Sequence, residues 1–161
     1  MDASRNALRT EVLQRRVIAT LATQNADGTI HLTPVWFLYE NEQFYVGTNS
    51  ASRKARNIQS RPNVTIMVDV REPGAERGVA AAGTANIQGG KRVAEVVRLI
   101  QRRYLSEAAL ADPEVGPAFA SLDNIVLEIV PEKWTVWDMR VLGQQLFGEK
   151  LKTPGYVLPI E

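Results

Sequence analysis

Seven consecutive residues, Ser52-Arg53-Lys54-Ala55-Arg56-Asn57-Ile58, hold the most chemically suggestive side chains of the chain. A serine suited to capping a helix is followed at once by cations, although the first turn of a helix already presents unpaired N–H groups and the positive end of its dipole. A phosphate arriving there resolves the conflict. The competing reading is a solvated basic face whose charges are screened beyond about 8–10 Å. Elsewhere the catalytic options are narrow. His31 is the only histidine, which excludes metal sites built on two or three imidazoles. No G-x-S-x-G elbow supports a triad, and His31 alternates between Ile30 and Leu32 as a rim or barrel residue does. With no cysteine in the chain, disulfides, thiolate catalysis and cysteine-held metals are excluded as well.

The charge that matters is local. Across 161 residues, 19 Lys+Arg stand against 18 Asp+Glu, a formal charge of +1, which argues against a dedicated nucleic-acid binder. A chain of this length builds a core unaided, hiding about 70% of the surface its unfolded form exposes. Arg5, Arg9, Glu11, Arg15 and Arg16 interrupt any apolar run at the start, and no stretch approaches the ~20 apolar residues of a membrane span. We therefore expect a cytoplasmic protein with neither membrane nor nucleic acid as partner.

These side chains need a frame. Leu8, Val12 and Leu13 recur at helical spacing, predicting a helix over Ser4 to Arg15. Val17 to Thr23 is β-branched, and Asn25-Ala26-Asp27-Gly28 supplies a hairpin turn into a strand from Thr29 to Tyr39. Glu40-Asn41-Glu42-Gln43 makes a second hairpin into Phe44 to Thr48. The capped helix then runs Ser52 to Ser60 and is stopped by Arg61-Pro62. Val64 to Val70 is the next strand, with Val64, Ile66 and Val68 on its core face. A small-residue strand from Val79 to Ile87 contains Gly83, where another backbone approaches closely. Val93, Val96, Val97, Ile100 and Tyr104 stripe an amphipathic helix from Lys91 to Tyr104. Asp112-Pro113-Glu114 has the cap, proline and acid order of another helix start, and Asn124 to Asp138 closes the sheet. Residues 141–161, punctuated by Gly143, Gly148, Pro154, Gly155 and Pro159, read as an extended C-terminal arm on one single domain.

Many short antiparallel strands with few helices favour a β-barrel over a parallel α/β sheet. No G-x-G-x-x-G follows a strand, and no Walker A lysine follows a glycine loop; Gly83, Gly89 and Gly90 are spaced wrongly. A phosphorylated cofactor would thus be held by side chains and a helix start, and would itself carry the chemistry.

Read together, Asp27-Gly28 through Thr33-Pro34-Val35-Trp36-Phe37, Gly47-Thr48-Asn49, Ser52-Arg53-Lys54-Ala55-Arg56-Asn57, Arg61-Pro62-Asn63-Val64 and Val68-Asp69 resemble the successive blocks of the pyridoxamine 5′-phosphate oxidase-like split-barrel superfamily. The T-P-V-W-F and S-R-K-x-R-N blocks look most like its branch using the deazaflavin coenzyme F420, with FMN users as close relatives. The resemblance implies a mainly β fold, a six-stranded antiparallel split barrel with peripheral helices. It also implies a homodimer with two cofactor sites at the interface, acting on a small-molecule substrate. It puts the cofactor phosphate on Lys54 with Arg53 and Ser52, and the ring along Thr33, Pro34, Val35 and Trp36, above the loop begun by Thr48 and Asn49. Trp36 can equally pack, Thr48-Asn49 can be turn chemistry alone, and Asn57 can assist the phosphate or bond its own loop. Trp134, Trp137 and Arg140 are weaker candidates, suited to barrel closure and dimer packing. The activity implied is hydride transfer by bound F420. Its rivals are an FMN enzyme, such as one oxidising pyridoxamine phosphate, and a non-catalytic flavin or tetrapyrrole carrier.

Overall fold

A computed structural model describes residues 2–158. Helix α1 (Ala3–Gln14) starts where Asp2 accepts a hydrogen bond from the Arg5 N–H at 2.9 Å, and it buries Leu8, Val12 and Leu13. Strands β1 (Ala19–Gln24) and β2 (Ile30–Val35) form the first hairpin, from Ala19 opposite Val35 to Gln24 opposite Ile30. In its turn Asp27 accepts from the Thr29 N–H at 3.0 Å, and Gly28 takes a φ of 86° that a side chain resists.

The run expected as one strand from Thr29 to Tyr39 breaks at Trp36 and Phe37, and β3 (Leu38–Glu40) follows. With β4 (Gln43–Thr48), β5 (Asn63–Val70), β6 (Arg77–Gln88) and β7 (Ile125–Asp138), the sheet has seven strands in the order β2-β1-β5-β6-β7-β4-β3. The expected six become seven because the two halves of one run serve opposite edges of the sheet, so the chain must bend where it passes from one to the other. At the bend Phe37 enters the barrel core, whereas Trp36 joins a second cluster outside it. The freed backbone groups find a partner: the Phe37 N–H donates to the Tyr104 hydroxyl at 3.3 Å, which donates to the Val17 carbonyl at 2.9 Å.

Along β5, Val64, Ile66 and Val68 face inward as their alternation requires, at 5%, 0% and 0% exposure. The ladder between β6 and β7 shifts register at Ala82 and Gly83; a Cβ on Gly83 would lie 2.0 Å from the Val130 carbonyl oxygen, so only glycine fits. Helix α2 (Arg53–Ser60) pushes Ala55 and Ile58 toward the core. Helix α3 (Lys91–Tyr104) lays Val93, Val96, Val97 and Ile100 over Tyr45 and Val126 on the outer face of the sheet.

Two short helices cross beyond α3. The first, α4 (Glu107–Ala111), was not foreseen; the second, α5 (Val115–Leu122), begins where Asp112 accepts from the N–H groups of Glu114 and Val115, both at 2.9 Å. After β7 the expected extended arm is instead helical at its start: α6 (Arg140–Phe147) is followed by a 3₁₀ turn at Lys150–Lys152. Of the glycines read as breakers, one serves packing and another ends the helix. Gly143 is the contact that seats α6, since a Cβ there would meet the Gly74 carbonyl oxygen at 2.2 Å, and Gly148 caps the helix with a φ of 56°. Pro159 and the two residues after it lie outside the described residues.

Candidate functional site

The loop between β4 and α2 is organised by its own polar side chains. Ser52 caps α2, accepting from the Ala55 N–H at 3.3 Å and from the Thr48 hydroxyl at 3.2 Å. Asn49 accepts from the Ala51 N–H at 2.9 Å, the turn chemistry its type suggests. Asn124, one residue before β7, braces the same loop from the far side. It accepts from the Ser50 N–H at 2.8 Å, donates to the Ser50 hydroxyl at 3.2 Å, and its own N–H donates to the Thr48 carbonyl at 3.1 Å.

Against this loop lies a cleft of about 270 Å³. The end of β2 and the bend after it supply Pro34, Val35 and Trp36; β4 supplies Gly47 and Thr48; α2 supplies Lys54. Helices α3 and α5 cover the cleft with Ile100, Gln101, Phe119 and Leu122, and Asp123 follows immediately. Trp36 stacks on Tyr104, ring centroids 4.8 Å apart and planes 9° off parallel, and on Phe119 at 5.6 Å and 17°. A flat ligand ring seeking Trp36 therefore competes with the chain's own aromatics.

Electrostatically the cleft holds one opposed pair. Burial pulls the Lys54 ammonium below the usual lysine range, an effect partly offset by the Asp123 charge. Burial likewise pushes the Asp123 carboxyl up, with Lys54 opposing. Half-buried charges of this kind, in a concave site with aromatic walls, are what a ligand's polar end engages.

The expected site residues separate into two groups. Pro34, Val35, Trp36, Thr48 and Lys54 meet in the cleft, and Ser52 stands behind Thr48. The others lie outside its lining. Arg53 is exposed and near the first hairpin turn, where its charge adds slightly to the hydrogen bonds from Thr29 that hold Asp27 below the usual carboxylate range. Asn57 is buried and donates to Thr23 and Asn25, each at 3.0 Å, so it ties α2 to that hairpin. Thr33 pairs with His31 at 2.8 Å along β2. Trp134 packs beside Tyr39 and Phe44, Trp137 covers Gly78, and Arg140 bonds Asp138 and Glu11. Phe119, Gln101 and Asp123 escaped the sequence reading. Only the Asp112-Pro113-Glu114 helix signal hinted that anything packed there.

Comparison with known proteins agrees with the architecture. The family model described as pyridoxamine 5′-phosphate oxidase matches residues 7–138. Among solved structures, a conserved hypothetical protein from Mycobacterium tuberculosis is 25% identical at a TM-score of 0.70, the match covering 100% of this chain and 94% of that one. A protein described as an F420 reductase is 23% identical at a TM-score of 0.62, over 79% of this chain and 95% of that one. The heme storage protein HutZ from Vibrio cholerae is 20% identical at a TM-score of 0.61, over 80% and 90%. No curated protein matches the chain.

Proposed function

The chain belongs to the pyridoxamine 5′-phosphate oxidase family, and on that premise we propose that it is an oxidoreductase in which bound deazaflavin coenzyme F420 exchanges a hydride with a small electrophilic or unsaturated molecule. The observation that carries the reading is the meeting of Lys54 and Trp36 in one cleft between β2, β4, α2 and the covering helices α3 and α5. Lys54 takes the phosphate end, helped by the Ser52 turn, with Arg53 contributing from outside the cleft as a longer-range charge. Pro34, Val35 and Trp36, with Thr33 just behind them on β2, and the Thr48-Asn49 loop below orient the ring. F420 supplies the hydride chemistry; the protein supplies position, a dry apolar wall and charge complementarity.

The site belongs to a homodimer in this reading, with the partner subunit closing the open side of the cleft. FMN is the second reading, favoured by the family match itself. Parallel fluorescence titrations with F420 and FMN separate the two. F420 is expected to bind preferentially, and Lys54→Ala to weaken it by about 10–100-fold, the loss of one charge-assisted contact. Tight FMN binding without an F420 response overturns the choice of cofactor. Indifference of both affinities to Lys54→Ala overturns the site.

A further inference from the structure

Among the described residues, Lys54 is the only cation lining the cleft, and Asp123 is the only anion. Their opposition is built into the fold. Asp123 seats its carboxylate on the backbone of Gly47, where even a Cβ would come within 2.6 Å of its Oδ2 atom. Asn124, the next residue, is fixed by its three hydrogen bonds to Thr48 and Ser50. No direct ion pair joins Lys54 to Asp123, so an anion that reaches Lys54 also sits in the field of the carboxylate.

Resting on the cofactor reading above, we propose that Asp123 is a specificity-determining residue that makes the cleft accept a singly charged phosphodiester in preference to a doubly charged phosphomonoester. With one charge of each sign the lining is formally neutral. Attraction to Lys54 and repulsion from Asp123 both grow in proportion to ligand charge, so Asp123 removes part of the attraction from either ligand, and about twice as much free energy from the monoester. The desolvation cost of the ligand grows faster, as the square of its charge in the Born picture. A phosphomonoester, at about −1.5 to −2 near neutral pH, therefore loses more on entering than a diester at −1. Arg53, exposed beside the first hairpin turn, adds only a screened long-range attraction that does not outweigh this difference. Discrimination of this kind works by a built-in repulsive element, in addition to any attractive contact.

The test holds the ring constant and varies only the charge. Three probes are made on both the flavin and the deazaflavin ring: the ribityl alcohol without phosphate, its 5′-phosphate monoester and its 5′-methyl phosphate diester. Each is titrated at pH 8 against the full chain and Asp123→Asn. In the unaltered protein the diester is expected to bind more tightly than the monoester. In Asp123→Asn the monoester is expected to gain about tenfold, the diester about threefold (the square root, for half the charge) and the alcohol nothing. A monoester that already binds the unaltered protein more tightly than the diester overturns the inference without any variant. Equal shifts of all three probes in the variant, or no shift, also overturn it while leaving the cofactor reading intact. Failure of every probe on both rings overturns the cofactor reading, and this inference with it.

Discussion

Adding a single methyl group at Gly83 tests the register that holds the barrel together. The Cβ of Gly83→Ala would stand 2.0 Å from the Val130 carbonyl oxygen, whereas an ordinary carbon–oxygen approach between strands is about 3.3 Å. Strands β6 and β7 must then separate by roughly 1.3 Å at their register shift, and backbone on both sides leaves no flexible side chain to yield. Losing about two ladder hydrogen bonds, at about 1 kcal/mol each, and loosening the adjoining core adds up to about 3 kcal/mol. For a chain of this size that lowers Tm by about 6–12 °C. Gly89→Ala is the control, because a Cβ there meets nothing within 4 Å; it is expected to be neutral or to stabilise by up to about 1 kcal/mol through the unfolded state. Urea and thermal unfolding followed by far-UV circular dichroism read both variants. A Gly83→Ala cost below about 0.5 kcal/mol, or equal effects at the two glycines, refutes the reasoning.

Acid sensitivity should concentrate at the junction of α1, the loop before β6 and α6, where buried Arg77 donates to Glu11 at 2.8 Å and to Glu72 at 3.1 Å. Those hydrogen bonds, chiefly, hold both carboxyls below their usual 4.5; the unfolded chain therefore takes up protons first, and the stabilisation is present above pH 4.5 and lost as pH falls through the folded values. Glu11→Gln should cost on the order of 1 kcal/mol at neutral pH, discounted for its solvent exposure, with the gap to the unaltered protein closing below pH 4.5 in urea titrations; a gap independent of pH contradicts the assignment. Phe119→Ala should cost about 1.5–2.5 kcal/mol, roughly half the value for a fully buried phenylalanine, while raising affinity for the phosphate-free ring alcohol several-fold by freeing Trp36. A fall in that affinity would mean that Phe119 supports the ring instead of occupying its place.

Local rules made much of this protein legible in its sequence. Alternation along Val64–Val68, the stripe from Val93 to Tyr104 and the turn residues at Asn25–Gly28 each satisfy a period or a φ requirement within a few residues, so neighbours suffice to read them. The Ser52 cap and the close approach at Gly83 belong to the same kind of signal. The bend at Trp36 and Phe37 does not. A strand that serves both edges of a curled sheet is indistinguishable, by its own alternation, from one that serves a single edge. Only the curling of the sheet sends Phe37 inward and Trp36 out toward α3.

The site divides along the same line. Sequence alone put Lys54 beside a helix start and Trp36 in the strand run after the first hairpin turn, because capping and strand chemistry are local. It treated Arg53, Lys54 and Asn57 as one cluster, and the helical twist of α2 parts them: Lys54 turns into the cleft, Arg53 to solvent, and Asn57 to the hairpin. Asp123 and Phe119 reach the cleft across some seventy residues of chain. No spacing rule links them to Lys54 and Trp36; α3 and α5 must pack on the sheet before those charges and rings meet. What was fixed locally is the choice of most elements and of one cation that lines the cleft. Tertiary packing alone determined what faces that cation, because a counter-charge acts through space and leaves no periodic trace in the chain.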